Sequence, residues 1–166
     1  MRSHRGVSSH RGPSLEMLPL PPGAYCDGYV IVKATRRFTF VHDGYDVCIL
    51  RPGRDPVSIG THFLDPSAFA LVRGSRWCAS AGCGVVVYFL RPPFAPFVCD
   101  EVSAQWWEIG RDPYEPWDVV RLRVLDAHRL RIVVLADDGT TRAYTADVQK
   151  RRLRRHELIG LPRPPV

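Results

Sequence analysis

Short apolar runs alternate with turn-forming pairs along most of this chain. Residues 47–50, 57–59, 69–72 and 85–89 are rich in β-branched and aromatic side chains, and Asp43-Gly44, Pro52-Gly53, Asp65-Pro66, Arg73-Gly74 and Ala81-Gly82 punctuate them. Runs this short, bounded by Gly, Pro and Asp, predict β-strands, because a helix needs a longer periodic stretch and Pro or Gly interrupts one. Further strands are expected over 29–33, 38–41 and 102–109. Three more, over 118–125, 130–136 and 141–145, read as a meander with a turn at Asp137-Asp138-Gly139. The predicted fold is all-β: a single barrel or distorted jelly roll over 23–156. A flexible basic arm is expected over 1–22 and a proline-containing tail over 157–166.

Composition narrows the class. The 166 residues suit one domain, with hydrophobic content of 45% and charged content of 24%. A formal net charge of +6 favours acidic partners such as nucleic acid. No stretch approaches the roughly 18 apolar residues of a membrane helix, so no membrane partner is expected. Five cysteines without a dense framework point to reduced thiols and an intracellular location, in cytoplasm or nucleus. The arm repeats Ser-His-Arg-Gly at Ser3–Gly6 and Ser9–Gly12, a solvated tail or a segment that touches nucleic acid.

Several ordered motifs resemble the trimeric dUTPase family. Gly44-Tyr45-Asp46 resembles that family's first motif, and Pro52-Gly53 followed by Gly60 resembles its next hairpin. Pro66, then Ala70-Leu71-Val72-Arg73-Gly74-Ser75-Arg76, then Ala79 and Gly84-Val85-Val86-Val87 resemble its second motif and the strand that follows. Residues 130–153 are similar, more loosely, to a later strand pair of the family. About half of the chain is covered. The resemblance implies a dUTPase-like fold, and it makes Asp46, Ser75 and Arg76 vestigial positions of a substrate site. Departures are equally specific. Trp77 stands where the family keeps a small glycine, and no counterpart exists for the third-motif aspartate that orients water or for the glycine-rich fifth motif. A general base must reach its water, so the resemblance implies a noncatalytic protein. It is closest in kind to the dUTPase-derived accessory proteins of large DNA viruses, of the adenovirus early-region-four and herpesvirus type. Those act through protein contacts on host signalling or gene expression. A trimer is implied only by the family.

Other chemistry is thin. Cys78 and Cys83 have a Cys-x4-Cys spacing without a second ligand pair, so no metal is expected and core packing is the simpler account. His42, His62 and His128 sit singly near turns, and there is no phosphate-binding glycine loop. Phe94, Phe97, Trp106 and Trp107 are candidates for an aromatic partner-binding platform, against ordinary core packing. Lys150, Arg151, Arg152, Arg154 and Arg155 form a basic run, expected to project beyond the last strand. It reads as an import signal, a nucleic-acid patch or a solvated edge. Two alternatives stay open. One is a divergent, magnesium-dependent nucleotide pyrophosphatase that adds Asp100 or Glu101 to Asp46. The other is an SH3-like nucleic-acid-binding module, since 29–50 and 119–145 share one strand-and-turn cadence.

Overall fold

Thirteen strands make up the regular structure of the described residues, which are 25–26, 29–62, 68–74 and 76–156 of a computed structural model. The expected arm and tail lie outside them. The first sheet is a five-stranded antiparallel meander: β1 (Tyr25–Cys26), β2 (Tyr29–Ala34), β3 (Thr39–His42), β4 (Asp46–Arg51) and β5 (Arg54–Thr61). The second has four strands in chain order: β6 (Ala68–Leu71), β7 (Trp77–Gly82), β8 (Gly84–Phe89) and β9 (Trp106–Ile109). The third repeats that plan with β10 (Asp118–Val124), β11 (Arg129–Leu135), β12 (Thr141–Asp147) and β13 (Arg152–His156).

The all-β expectation holds, but the single barrel does not. No sheet closes on itself; the three open sheets stack as layers with the second in the middle. Alternation along β7 and β8 explains why. Ala79, Ala81, Val85 and Val87 face the third sheet, where they meet Val119, Leu130, Ile132 and Ala146. Cys78, Val86 and Tyr88 face the first sheet and pack on Phe40, Val47 and Ile49. A strand buried on both faces reads as a continuous apolar run, as 85–89 does. Its neighbour β7 carries no such signal and is absent from the strands expected above. Small Ala, Cys, Ser and Gly residues have little β-preference, yet five of its six positions are buried, because two sheets press on it.

The second and third sheets are joined at a tight junction. Gly84 N donates to Trp117 O at 2.8 Å and Trp117 N to Gly110 O at 2.9 Å. Both glycines have positive φ, 80° and 63°. A Cβ on Gly110 would land in the Trp117 indole, so the bare backbone is needed there on two counts. Trp117 in turn stacks on Tyr144, with ring centroids 4.2 Å apart, and fixes the third sheet over the second. Trp77 reaches across the same interface and donates from Nε1 to Ala127 O at 2.9 Å.

Two local expectations change. The strand expected over 102–109 is ordered as strand only from Trp106, with 101–105 in a loop. The basic run does not project from the body: its residues 152–155 lie within β13, which pairs antiparallel with β12.

Candidate functional site

The chain's most distinctive surface is the outer face of the third sheet. Three of its strands carry the same tripeptide: Arg121-Leu122-Arg123 on β10, Arg129-Leu130-Arg131 on β11 and Arg152-Leu153-Arg154 on β13. Leu122 and Leu130 face the second sheet; Leu130 is fully buried and Leu122 partly so. The period of a strand then sends each flanking arginine pair outward. Register aligns them into rungs. Arg123, Arg131, Thr145 and Arg154 lie side by side across β10 to β13. The next rung holds Arg129, Asp147 and Arg152.

β12 contributes no cation to these rungs, only Thr145 and Asp147, so the arginines stand as two ridges with a furrow between them. A cavity of about 400 Å³ fills the furrow, lined by Arg129, Arg131, Thr145, Asp147, Arg152 and Arg154 among others. Lys150 joins at the β12–β13 turn, 3.9 Å from the Asp147 carboxylate. The Asp126 carboxylate engages Arg129 Nε at 2.6 Å, and backbone N–H groups of His128 and Arg129 together with that guanidinium hold its pKa below the usual carboxylate range. Arg121 stands apart from both rungs, opposite Val133. Arg123, Arg131, Arg152 and Arg154 have no ion-pair partner among the described residues, and the buried Nε of Arg131 has no hydrogen-bond partner there either. Arg123 and Arg131 are direct cross-strand neighbours, a like-charge placement that costs stability in a sheet. Unneutralised cations packed this way are suited to holding several anionic groups in a row.

The basic run divides on this scaffold. Arg152 and Arg154 enter the furrow. Arg151 turns back with φ of 50° and lays its guanidinium over the Phe89 ring at 5.4 Å. Arg155 pairs with Tyr144 on the opposite face of the strand and is exposed at the sheet edge. The four arginines of β10 and β11 are not among the candidates that local motifs single out. The thrice-repeated Arg-Leu-Arg is the signal that could have found them, a period-2 pattern whose first two copies fall in or at the edge of strands already expected.

The aromatic candidates are placed as packing. Phe97 and Trp106 are 7% and 4% exposed in the core between the first and second sheets. Phe94 sits edge-on to Phe38 and under Arg51, and Trp107 packs toward the third sheet. An even platform would need all four on one surface, whereas adjacent Trp106 and Trp107 point to opposite faces of β9.

Asp46 begins β4 and accepts a hydrogen bond from Thr61 Oγ1 at 2.6 Å across the β4–β5 pair. Arg76 is exposed and uses its carbonyl to accept from Leu90 N at 2.9 Å, while Ser75 lies outside the described residues. Among the described residues, one group of three or more metal-type ligands comes together, Cys99, Asp100 and Glu108, and Asp46 and Glu101 are not in it. Arg111 occupies that group: its Nε is 2.8 Å from Glu108 and its NH2 is 3.5 Å from Cys99 Sγ. A guanidinium already seated on the carboxylate disfavours a second cation. Arg111 also approaches His62 Nδ1 at 3.5 Å, and His62 Nε2 lies 2.9 Å from Ser80 Oγ. Burial, helped by the Arg111 charge, pushes the His62 pKa down to about 4. Cys78 is fully buried in the first interface, away from any ligand set, and burial pushes its thiol pKa well up. No protein-family model, curated protein or solved structure matches the chain.

Proposed function

We propose that this protein works by binding rather than by turnover, and that its ligand is nucleic acid held through the phosphate backbone. The observation that carries this reading is the doubled arginine ridge on the outer face of the third sheet. Phosphate contacts by Lys and Arg supply most nonspecific affinity for nucleic acid through counterion release. In the enzyme alternative, Asp46 needs a second carboxylate and a metal. Its oxygen is instead engaged by Thr61, outside the Cys99, Asp100 and Glu108 group found among the described residues. Descent from the dUTPase fold belongs to the same proposal, supported by the ordered motif likeness between Gly44 and Val87. So does an intracellular site of action, including the nucleus.

Fluorescence anisotropy with labelled oligonucleotides over a salt series tests the proposal. Affinity should fall steeply with salt, with log–log slope near −0.9 per phosphate contact on duplex DNA. Replacing Arg123, Arg131, Arg152 and Arg154 together with Gln should abolish binding at moderate salt; unchanged affinity would refute it.

A second reading, contact with a protein partner, has its own support. Val102 and Tyr114 are almost fully exposed on the loops either side of β9, beside Asp100, Glu101 and Asp112. Loss of a cellular partner on Val102→Ser with Tyr114→Ser, with nucleic-acid affinity intact, is the result expected of that surface.

A further inference from the structure

Resting on the nucleic-acid reading above, we infer that the ligand is a duplex, and that one of its two phosphate backbones lies in the furrow along β12. Three features lead there. First, cations flank the furrow and its floor is small: Arg131 and Arg154 stand on either side of Thr145 in one rung, and Arg129 and Arg152 on either side of Asp147 in the next. Strands are about 4.8 Å apart, so the ridges on β11 and β13 are separated by roughly 10 Å, wide enough for a single backbone and too narrow for a whole duplex. Second, no Phe, Tyr or Trp lines the furrow, and the one ring there, His156, is tied by Nε2 to Thr145 Oγ1 at 2.8 Å. Proteins that hold single strands add base stacking to a charged groove, whereas a duplex hides its bases and presents phosphates. Third, the Asp147 carboxylate lies in the lower rung beside Lys150. It weakens the positive field at that end and places the strongest phosphate seat at the upper rung, between Arg131 and Arg154.

The furrow makes a distinction that a merely basic face does not. If only net charge mattered, every arginine on the face would contribute alike. With a backbone seated along β12, Arg131 and Arg154 touch phosphate and Arg121, on the far strand, does not.

The experiment compares a duplex with a single strand of equal length, in DNA and in RNA, using the full-length protein with Arg121→Gln, Arg131→Gln, Arg154→Gln and Thr145→Phe. Thermal melting of each variant establishes folding, and Arg154 is exposed, so its substitution leaves the core untouched. The duplex should bind at least about tenfold tighter than the single strand, and Arg131→Gln and Arg154→Gln should each lower its salt slope by about one contact. Arg121→Gln should leave the slope unchanged. Thr145→Phe, which plugs the floor without altering charge, should weaken the duplex about tenfold. Equal losses for all three arginine variants with no effect of Thr145→Phe would overturn the furrow and leave the basic face standing. No loss from any variant would remove both. Tighter binding of the single strand, or displacement of the duplex by polyglutamate at matched charge, would overturn the duplex assignment.

Discussion

His62 shows how one buried side chain sets a pH dependence. Its folded pKa of about 4 lies below the ordinary 6.5, because the ring is buried and faces Arg111. The unfolded chain therefore takes up a proton that the native state refuses. The stabilisation is whole above pH 6.5, declines as pH falls, and is gone below about 4, a total of about 3 kcal/mol. Urea unfolding at pH 7 and pH 4.5 should show a fall in stability that is smaller for His62→Gln; equal falls would disprove the assignment. Gly110 is a second decisive residue. Gly110→Ala forces a Cβ into Trp117 at φ of 63°, and should cost about 3 kcal/mol by combining left-handed strain with overpacking. A melting temperature within a degree or two of wild type would contradict this.

Each element answers to two demands, its own turn chemistry and the layer it packs on. Aspartates open the turns by accepting main-chain N–H bonds: Asp43 from Tyr45 and Asp46, Asp126 from His128 and Arg129, Asp138 from Thr140. These are the sites at which the Asp-Gly and Asp-x signals are readable in the chain. β10 and β11 make a different compromise. Arg123 opposes Arg131, so Arg123→Thr removes a like-charge pair and adds a β-favouring residue. It should raise stability by several tenths of a kcal/mol while weakening nucleic-acid binding. Denaturant midpoints and binding measured on one preparation decide it; a destabilised variant would mean that Arg123 contributes packing through its stem.

For the molecule as a whole, the middle sheet carries the consequence. Its two faces belong to different cores, one shared with the first sheet and one with the third. Loss of either outer layer exposes a full apolar face, which couples the three sheets into one cooperative unit. Trp106 reports on the first interface and Trp77 on the second. Variants that keep only one or the other of these tryptophans should unfold at the same urea concentration. Separate midpoints would show that the layers melt independently.

Turns and most strands are legible in the amino-acid sequence because both are local. Asp-Gly and Pro-Gly pairs fix backbone conformation within four residues, and β-branched runs such as 85–89 declare their state without reference to distant chain. The meander over 118–145 is legible for the same reason. β7 and β13 are not, since one owes its extended state to pressure from two sheets and the other to pairing with β12. A closed barrel and three stacked sheets also share the same local signals; they differ in which strand edges meet, which depends on contacts far apart in sequence. The arginine furrow has the same origin. Arg131 and Arg154 are 23 positions apart along the chain. Only the register of β11, β12 and β13 sets them on one rung, where their charges flank the same furrow roughly 10 Å apart instead of being dispersed through solvent.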